Sequence, residues 1–265
     1  MSTKEYGSFA TFWREWEKKL NPMIKKRQAT LQFAPLCGPS TENGKATFEL
    51  KEPIVISQAP QKSASAKKDR HAIFILGKFV FDRVDGVATP ILVNASASIT
   101  IYNVHRKSND EITAEMFEAV HFDMEDACAQ KPFHPIFHAQ RGADNRLPPE
   151  TLAPALARGW RIRNEGVEIK SSPVPGTPYL RLPTPQLDLF SVLTMVIADF
   201  FCHLPDSPKG KPPENPNVLT EFKGLLTLLM DKRNLAREGR CSAAVMARQN
   251  GVGFPSSGHW YAESV

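Results

Sequence analysis

Two long apolar runs between residues 71 and 105 give the chain its clearest pattern of hydrophobic and polar positions. In the second run, polar residues occupy every second position from 94 to 100 and apolar residues lie between them. This alternation is typical of a strand with one buried face and one polar face. The segment between the runs contains Asp85-Gly86, a dipeptide that favours tight turns. The pattern therefore predicts a long antiparallel hairpin.

Helical periodicity appears first near the N-terminus, where Phe9, Phe12, Trp13 and Trp16 lie at i, i+3, i+4 and i+7. Pro22 is expected to end this helix or kink it. Two interpretations stay open for the aromatic stripe. Either the helix docks the stripe on the core, or it presents aromatic and basic residues to a partner.

The segment SNDEITAEMFEAV predicts a second, short helix, because Ile112, Met116, Phe117 and Val120 would form one apolar face and Asn109 would cap it.

Other segments extend the pattern on both sides of the hairpin. KATFELKEPIVIS predicts two strands interrupted by Pro53. Residues 149–158 predict a short helix, and WRIRNEGVEIK predicts two short strands around residues 164–166. PTPQLDLFSVLTMVIADFFCHL predicts a central apolar helix, and VLTEFKGLLTLLMDKRNLAREG predicts a last amphipathic one.

The order of these elements predicts an α+β fold: an antiparallel sheet with a long hairpin, packed on one side by the central apolar helix and flanking helices. We expect one domain over residues 1–265. It would have an aromatic and basic helix in residues 1–30, mainly strands in 45–140 and mainly helices in 183–240. The 22 prolines indicate long, turn-rich connections.

Charge, cysteine content and the N-terminal sequence bear on the compartment and the type of partner that we expect. The net charge of +5 is mild, and the four cysteines form no CxxC pair. Since MSTKEYGSFA has no apolar core, we expect a cytoplasmic protein with reduced thiols. The longest apolar run contains Asp188 and Asp199, which favours a buried helix over a membrane span.

No P-loop, GxGxxG, GxSxG or HExxH motif occurs in the sequence. Candidate chemistry concentrates instead in HFDMEDACAQKPFHPIFHAQ, which holds His121, Asp123, His134 and His138. These side chains suit a divalent metal, although no cofactor is predicted outright. One histidine oriented by Asp123 would also suffice for general acid–base catalysis.

Backbone geometry decides between these uses. If VHFD continues a strand, His121 and Asp123 share one face about 6.6 Å apart. His134 and His138 could chelate one ion only on a helical turn, because a strand would place their backbones about 13 Å apart. A strand is favoured there, and in that case the two histidines are expected to be hydrogen-bonded structural residues.

A second constellation lies on the central helix. Asp188, Ser191 and Asp199 share a polar stripe, and His203 follows Asp199 by one turn. Carboxylates buried on such a helix need partners. They either pair with an arginine or a backbone amide, or they line a cleft shared with the histidine segment.

Nucleic-acid contact is a further expectation. It would use basic clusters in the first helix and in the loop APQKSASAKKD, although no known nucleic-acid motif appears. The candidate contact residues are Lys25, Lys26, Arg27, Lys67, Lys68 and Arg70.

The combination HFD…HPIFHAQ…LRLPTPQLD, within residues 120–188, resembles uncharacterised prokaryotic proteins, some of them carried in accessory or phage-defence gene clusters. The resemblance implies a bacterial cytoplasmic setting and a multi-protein context, and it implies no catalytic residues. The first hypothesis is therefore a non-enzymatic accessory or binding subunit of an antiviral or similar complex that contacts other proteins and nucleic acid, with no membrane. The alternative is a histidine-dependent metal hydrolase or nuclease.

Overall fold

The computed structural model of the protein describes residues 3–42, 44–60, 69–82, 91–125, 137–142, 147–170, 181–183, 189–202, 220–225 and 227. In these residues the chain is α+β, as predicted, with helices packed against a large, mainly antiparallel sheet. The helices are α1 (Thr3–Lys26), α2 (Pro149–Trp160) and α3 (Leu189–Ile197). The strands are β1 (Thr30–Gln32), β2 (Leu36–Glu42), β3 (Lys45–Leu50), β4 (Ile54–Ala59), β5 (Asp69–Asp82), β6 (Ile91–Arg106), β7 (Ile112–Glu125), β8 (Phe137–Arg141), β9 (Val167–Lys170) and β10 (Arg181–Pro183).

Three long antiparallel strands, β5, β6 and β7, form the centre of the sheet. Shorter strands share their outer edges: β4 and β3 pair with successive parts of β5, and β9 and β8 pair with successive parts of β7. The pairing of β9 with β7 is parallel. The predicted long hairpin is confirmed in β5 and β6, as are the two strands around Pro53, whereas Asp85-Gly86 lies outside the described residues.

Strand β7 replaces the helix predicted from SNDEITAEMFEAV, and that prediction was wrong. The register with β6 shifts where Tyr102 pairs with Met116 but Ile101 pairs with Glu118, so Phe117 is an extra residue in a β-bulge. The bulge breaks the alternation of apolar residues along the strand. Because it brings two apolar residues together in sequence, it imitates the spacing of a helix.

One face of the sheet is covered by α1 and α3. Phe12, Trp13 and Trp16 are almost fully buried, and their rings lie 4.9–5.4 Å from the ring of Phe190 in α3. These aromatic residues therefore belong to the core, which confirms the docked helix and contradicts a helix that presents them to a partner. Pro22 does not end α1, which continues to Lys26.

The opposite face of the sheet is packed by α2, so the expectation that all helices lie on one side was wrong. Trp160 and Leu156 pack with Phe74 and Tyr102. The polar face expected on β6 is also wrong in part, because Ser98 is only 9% exposed and Thr100 is buried with it. A sheet that is packed on both faces leaves its central strand little solvent on either side.

Two hydrogen bonds hold the C-terminal end of α2 against the sheet. Gln58 Nε2 donates to the Gly159 carbonyl and Arg106 Nη2 donates to the Trp160 carbonyl, each over 2.8 Å. The predicted helix over residues 149–158 is thus confirmed and slightly longer. Of the two strands predicted after it, only β9 forms, preceded by a short 3₁₀ turn.

The longest apolar run forms α3 and continues as a π-helical turn over residues 198–202, with most of its apolar side chains buried. This confirms a buried central helix. None of the helices in the described ranges is both long and apolar enough to cross a membrane. Residues 220–225 are also helical, as predicted, and Leu225 belongs to the same hydrophobic core as the apolar side of α1.

Replacing Gly159 with alanine should destabilise the protein, because the added Cβ would overlap the side chain of Ser57 on β4. We expect a loss of roughly 1–3 kcal/mol in the free energy of unfolding, measured by urea denaturation. Gly224→Ala is the matched control, since it is also a helical glycine but has nothing within 4 Å of the added Cβ. The control should be neutral or stabilising by up to about 1 kcal/mol, and equal losses in both variants would contradict the packing of α2 on β4.

Candidate functional site

His121 and Asp123 lie on one face of β7, as strand spacing predicts. His121 Nε2 donates a hydrogen bond of 2.8 Å to Asp123 Oδ1. Both side chains are 23% exposed, so the pair is accessible to solvent without being fully hydrated. The prediction that VHFD continues a strand is confirmed.

His138 joins this pair from the neighbouring strand β8, where it is directly opposite Asp123. Its Nε2 lies 3.7 Å from Asp123 Oδ2, and its side chain is 3% exposed. His138 therefore lies on a strand, which is the conformation that the sequence favours for it. His134 itself lies outside the described residues.

The three residues form what we call the histidine–aspartate cluster: His121, Asp123 and His138. The two carboxylate oxygens of Asp123 face one imidazole each, so the carboxylate occupies the centre that an ion would need. Among the residues that the structure describes, no group of three or more His, Cys, Asp or Glu side chains has the arrangement of a metal site.

Opposing effects set the ionisation of Asp123. Burial raises the pKa of Asp123. The hydrogen bond from His121 and the electrostatic attraction of His121, His138 and Lys78 lower that pKa by more, so its net value is below the ordinary one. Asp123 is therefore a carboxylate at neutral pH. A carboxylate in this position can orient an imidazole and stabilise its protonated form, which is the requirement for general acid–base work.

Strand β6 supplies hydroxyl groups beside the cluster. Its register places Ser98 opposite His121 and Ser96 opposite Asp123, on the face that α2 covers further along. Lys78 of β5 lies opposite Ser96 and is exposed. The histidine–aspartate cluster therefore lies in the polar half of this sheet face, and the half that α2 covers is apolar.

A groove of about 360 Å³ lies on the other face of the sheet, between β6–β8 and α3 with its π-helical turn. Its wall is mainly apolar. Phe117 is 52% exposed there, although its ring lies 5.7 Å from that of the buried His71. Glu118 accepts two hydrogen bonds from Arg141, at 2.6 and 2.7 Å, at the same groove.

Sequence reasoning missed this groove because it assigned Phe117 to a helix. No residue of the histidine–aspartate cluster lines it. A regular strand over EMFEAVHFD would separate Val120 from His121 but would place Phe117 on the same face as His121, because residues an even number apart share a face. Only the bulge at Phe117 puts that side chain on the groove side.

Of the constellation predicted on the central helix, Ser191 and Asp199 lie within the described residues. Asp199 is exposed and lies at the groove, so the expectation that it is buried was wrong. Asp188 and His203 lie outside the described residues. Asp199 shares its groove with Phe122 and Ala139 of the histidine segment, as one of the two alternatives held, whereas the histidine–aspartate cluster lies on the opposite face of the sheet.

The predicted nucleic-acid contacts are divided between elements. Lys25 and Lys26 are exposed at the end of α1, Arg27 follows them half-buried, and Lys26 forms an ion pair with Glu221. Arg70 is on β5 beside Val104, on the face away from α1. Lys67 and Lys68 lie outside the described residues.

No protein-family model matches this chain. Neither a curated protein nor a solved structure matches it. What supports a function is therefore the arrangement of its own residues.

The Asp123→Asn variant should lose stability in a pH-dependent way. Because folding lowers the pKa of Asp123, its ionised form stabilises the fold at pH values above about 4, and this contribution disappears as the pH falls through the lower folded value. We expect the variant to be less stable by about 1–3 kcal/mol at pH 6, with the difference shrinking towards pH 3. Chemical denaturation across this range measures it.

Glu115→Gln is the control, an exposed carboxylate on the same strand. It should change the free energy of unfolding by less than about 0.5 kcal/mol. A deficit of Asp123→Asn that stays constant from pH 6 to pH 3 would argue against the interaction with the two histidines.

Proposed function

We propose that the protein is a non-enzymatic binding subunit of a multi-protein complex, and that it receives an apolar side chain of a partner in the groove beside Phe117. The observation that carries this proposal is the 52% exposure of Phe117 at the groove. Large aromatic residues are enriched among the residues that dominate binding energy at protein interfaces.

The β-bulge gives this exposure a structural cause. Bulges re-aim side chains. In this bulge Phe117 is the extra residue between Met116, which pairs with Tyr102, and Glu118, which pairs with Ile101. The rest of the wall is contributed by residues held in the core, among them Val196 and Ile99. A wall fixed by the core is preorganised, so a partner would spend little free energy on ordering it.

Charged groups at the same groove would help to fix the orientation of a bound partner. The ion pair of Glu118 and Arg141 and the carboxylate of Asp199 line the groove together with its apolar side chains, and interfaces combine an apolar centre with a polar rim. The resemblance of the middle of the chain to proteins from accessory and phage-defence gene clusters fits a role among other subunits.

Phe117→Ser should abolish or strongly weaken the binding of a partner while leaving the fold intact, because the ring is half exposed. We expect a partner recovered by affinity purification from the native host to fall at least tenfold, which corresponds to about 1.4 kcal/mol of binding free energy. The Glu115→Gln variant should retain the partner. Equal recovery with both variants, or recovery of the chain alone, would contradict the proposal.

The histidine–aspartate cluster favours a second candidate, an enzyme that uses His121 as a general base. The supporting observation is the 2.8 Å hydrogen bond that fixes the His121 ring on an ionised carboxylate. His121 has access to solvent, whereas His138 is buried and would act by positioning Asp123. The class of reaction would be hydrolysis of an ester or phosphodiester, with a metal or without one.

His121→Gln should remove at least about 99% of any such activity, because general acid–base groups contribute roughly 10²- to 10⁴-fold. Hydrolysis of nitrophenyl esters and of bis(p-nitrophenyl) phosphate by the purified protein measures it, with elemental analysis of the same sample for bound metal. His105→Gln, an exposed histidine on β6, is the control. No bound metal together with equal rates for the wild type and both variants would end this candidate.

A further inference from the structure

The outward side of α1 carries more basic than acidic side chains. Between residues 14 and 27 the chain has six basic and two acidic side chains. Arg14, Lys18 and Lys25 follow helical spacing along one side of the helix, and all three are exposed. Lys19 lies beside them, also exposed. Helical rise puts Arg14 and Lys25 about 16 Å apart.

The apolar side of α1 is fixed in the core, and this decides which anionic partner the helix suits. An amphipathic helix binds a lipid surface by inserting its apolar side, but Trp16 and Leu20 are here completely buried in the protein. The helix therefore offers only charge to a ligand. Phosphate groups spaced along a nucleic-acid backbone match a row of lysine and arginine side chains.

A second concavity lies at the end of this basic row. A groove of about 300 Å³ is lined mainly by apolar residues, among them Trp13, Phe33 and Pro35, and by one basic and one acidic side chain, Arg14 and Glu17. The Trp13 ring lies 4.8 Å from that of Phe33, and its Nε1 donates to the Ala34 carbonyl over 3.1 Å, which holds the two walls together. Aromatic surfaces beside basic residues are how proteins bind unpaired bases.

We propose that α1 binds single-stranded nucleic acid, with the phosphates along Arg14, Lys18 and Lys25 and one base in the groove beside Phe33. A base within a duplex is stacked on its neighbours and could not enter this groove. This surface is separate from the groove at Phe117, so it can be tested independently of the proposed protein partner.

Fluorescence anisotropy with a labelled oligothymidylate of about 20 nucleotides tests the proposal, since thymine can stack but forms little structure of its own. The wild type should bind it at least tenfold more tightly than a duplex of the same length. Lys18→Glu combined with Lys25→Glu should weaken binding at least tenfold and lower the log–log salt dependence by about 0.7 for each phosphate that the variant no longer neutralises. Phe33→Leu should weaken binding about tenfold at unchanged salt dependence, because it removes the stacking ring.

The control variant combines Arg163→Glu with Lys170→Glu, which makes the same change of net charge at exposed residues distant in sequence from α1. It should bind like the wild type, and thermal unfolding should confirm that every variant is folded. The proposal is overturned by an absence of binding, by equal binding of the duplex, or by an equally large weakening in the control. Binding of phosphatidylserine vesicles that depends on Lys18 and Lys25, without binding of the oligonucleotide, would assign the surface to a membrane instead.

Discussion

The one extra residue in β7 determines what each face of the sheet displays. Before the bulge, Ile112 and Met116 contact the side covered by α2, and after it Val120 and Phe122 contact the opposite side. A strand without the bulge would exchange the two sets beyond residue 117, because a shift of one residue moves every later side chain to the other face. The position of His121 with Asp123, and the apolar wall of the groove at Phe117, both depend on this shift.

Burial on both faces explains why the long central strands can hold such different sites. The side under α1 and α3 is filled by aromatic rings that meet around Phe190, and the side under α2 is filled around Trp160. Neither helix layer extends over the whole length of β7. The polar half of one face and the groove on the other are the parts of the sheet where the described helices leave side chains in reach of solvent.

The elements that could be predicted from the sequence are those with an uninterrupted period. Polar and apolar residues alternate along β6, and the stripe on α1 follows 3.6 residues per turn, so both elements were found. The packing was correct for α1, whereas the polar face of β6 is buried in part. Strand β7 was misassigned because its bulge brings Met116 and Phe117 together in sequence and so produces helix-like spacing. The second helix layer was missed because nothing local in the sequence states which face of a sheet a helix will cover.

The candidate sites also differ in how far the sequence predicts them. The pairing of His121 with Asp123 follows from strand spacing alone, since residues two apart share a face. The approach of His138 could not be derived, because it depends on the register between β7 and β8, and no short turn in the sequence sets that register. The exposure of Phe117 depends on the bulge, and so on the same long-range pairing.

Strand β8 is held to β7 by a charged pair on each face. Arg141 contacts Glu118 on the groove side, while His138 approaches Asp123 on the other side. These residues alternate along both strands, so a substitution in one pair leaves the side chains of the other in place. Contacts with a partner in the groove and acid–base chemistry at His121 are therefore separable by substitution. A single change that removed both functions would have to act through the backbone pairing of β7 with β8, and not through either set of side chains.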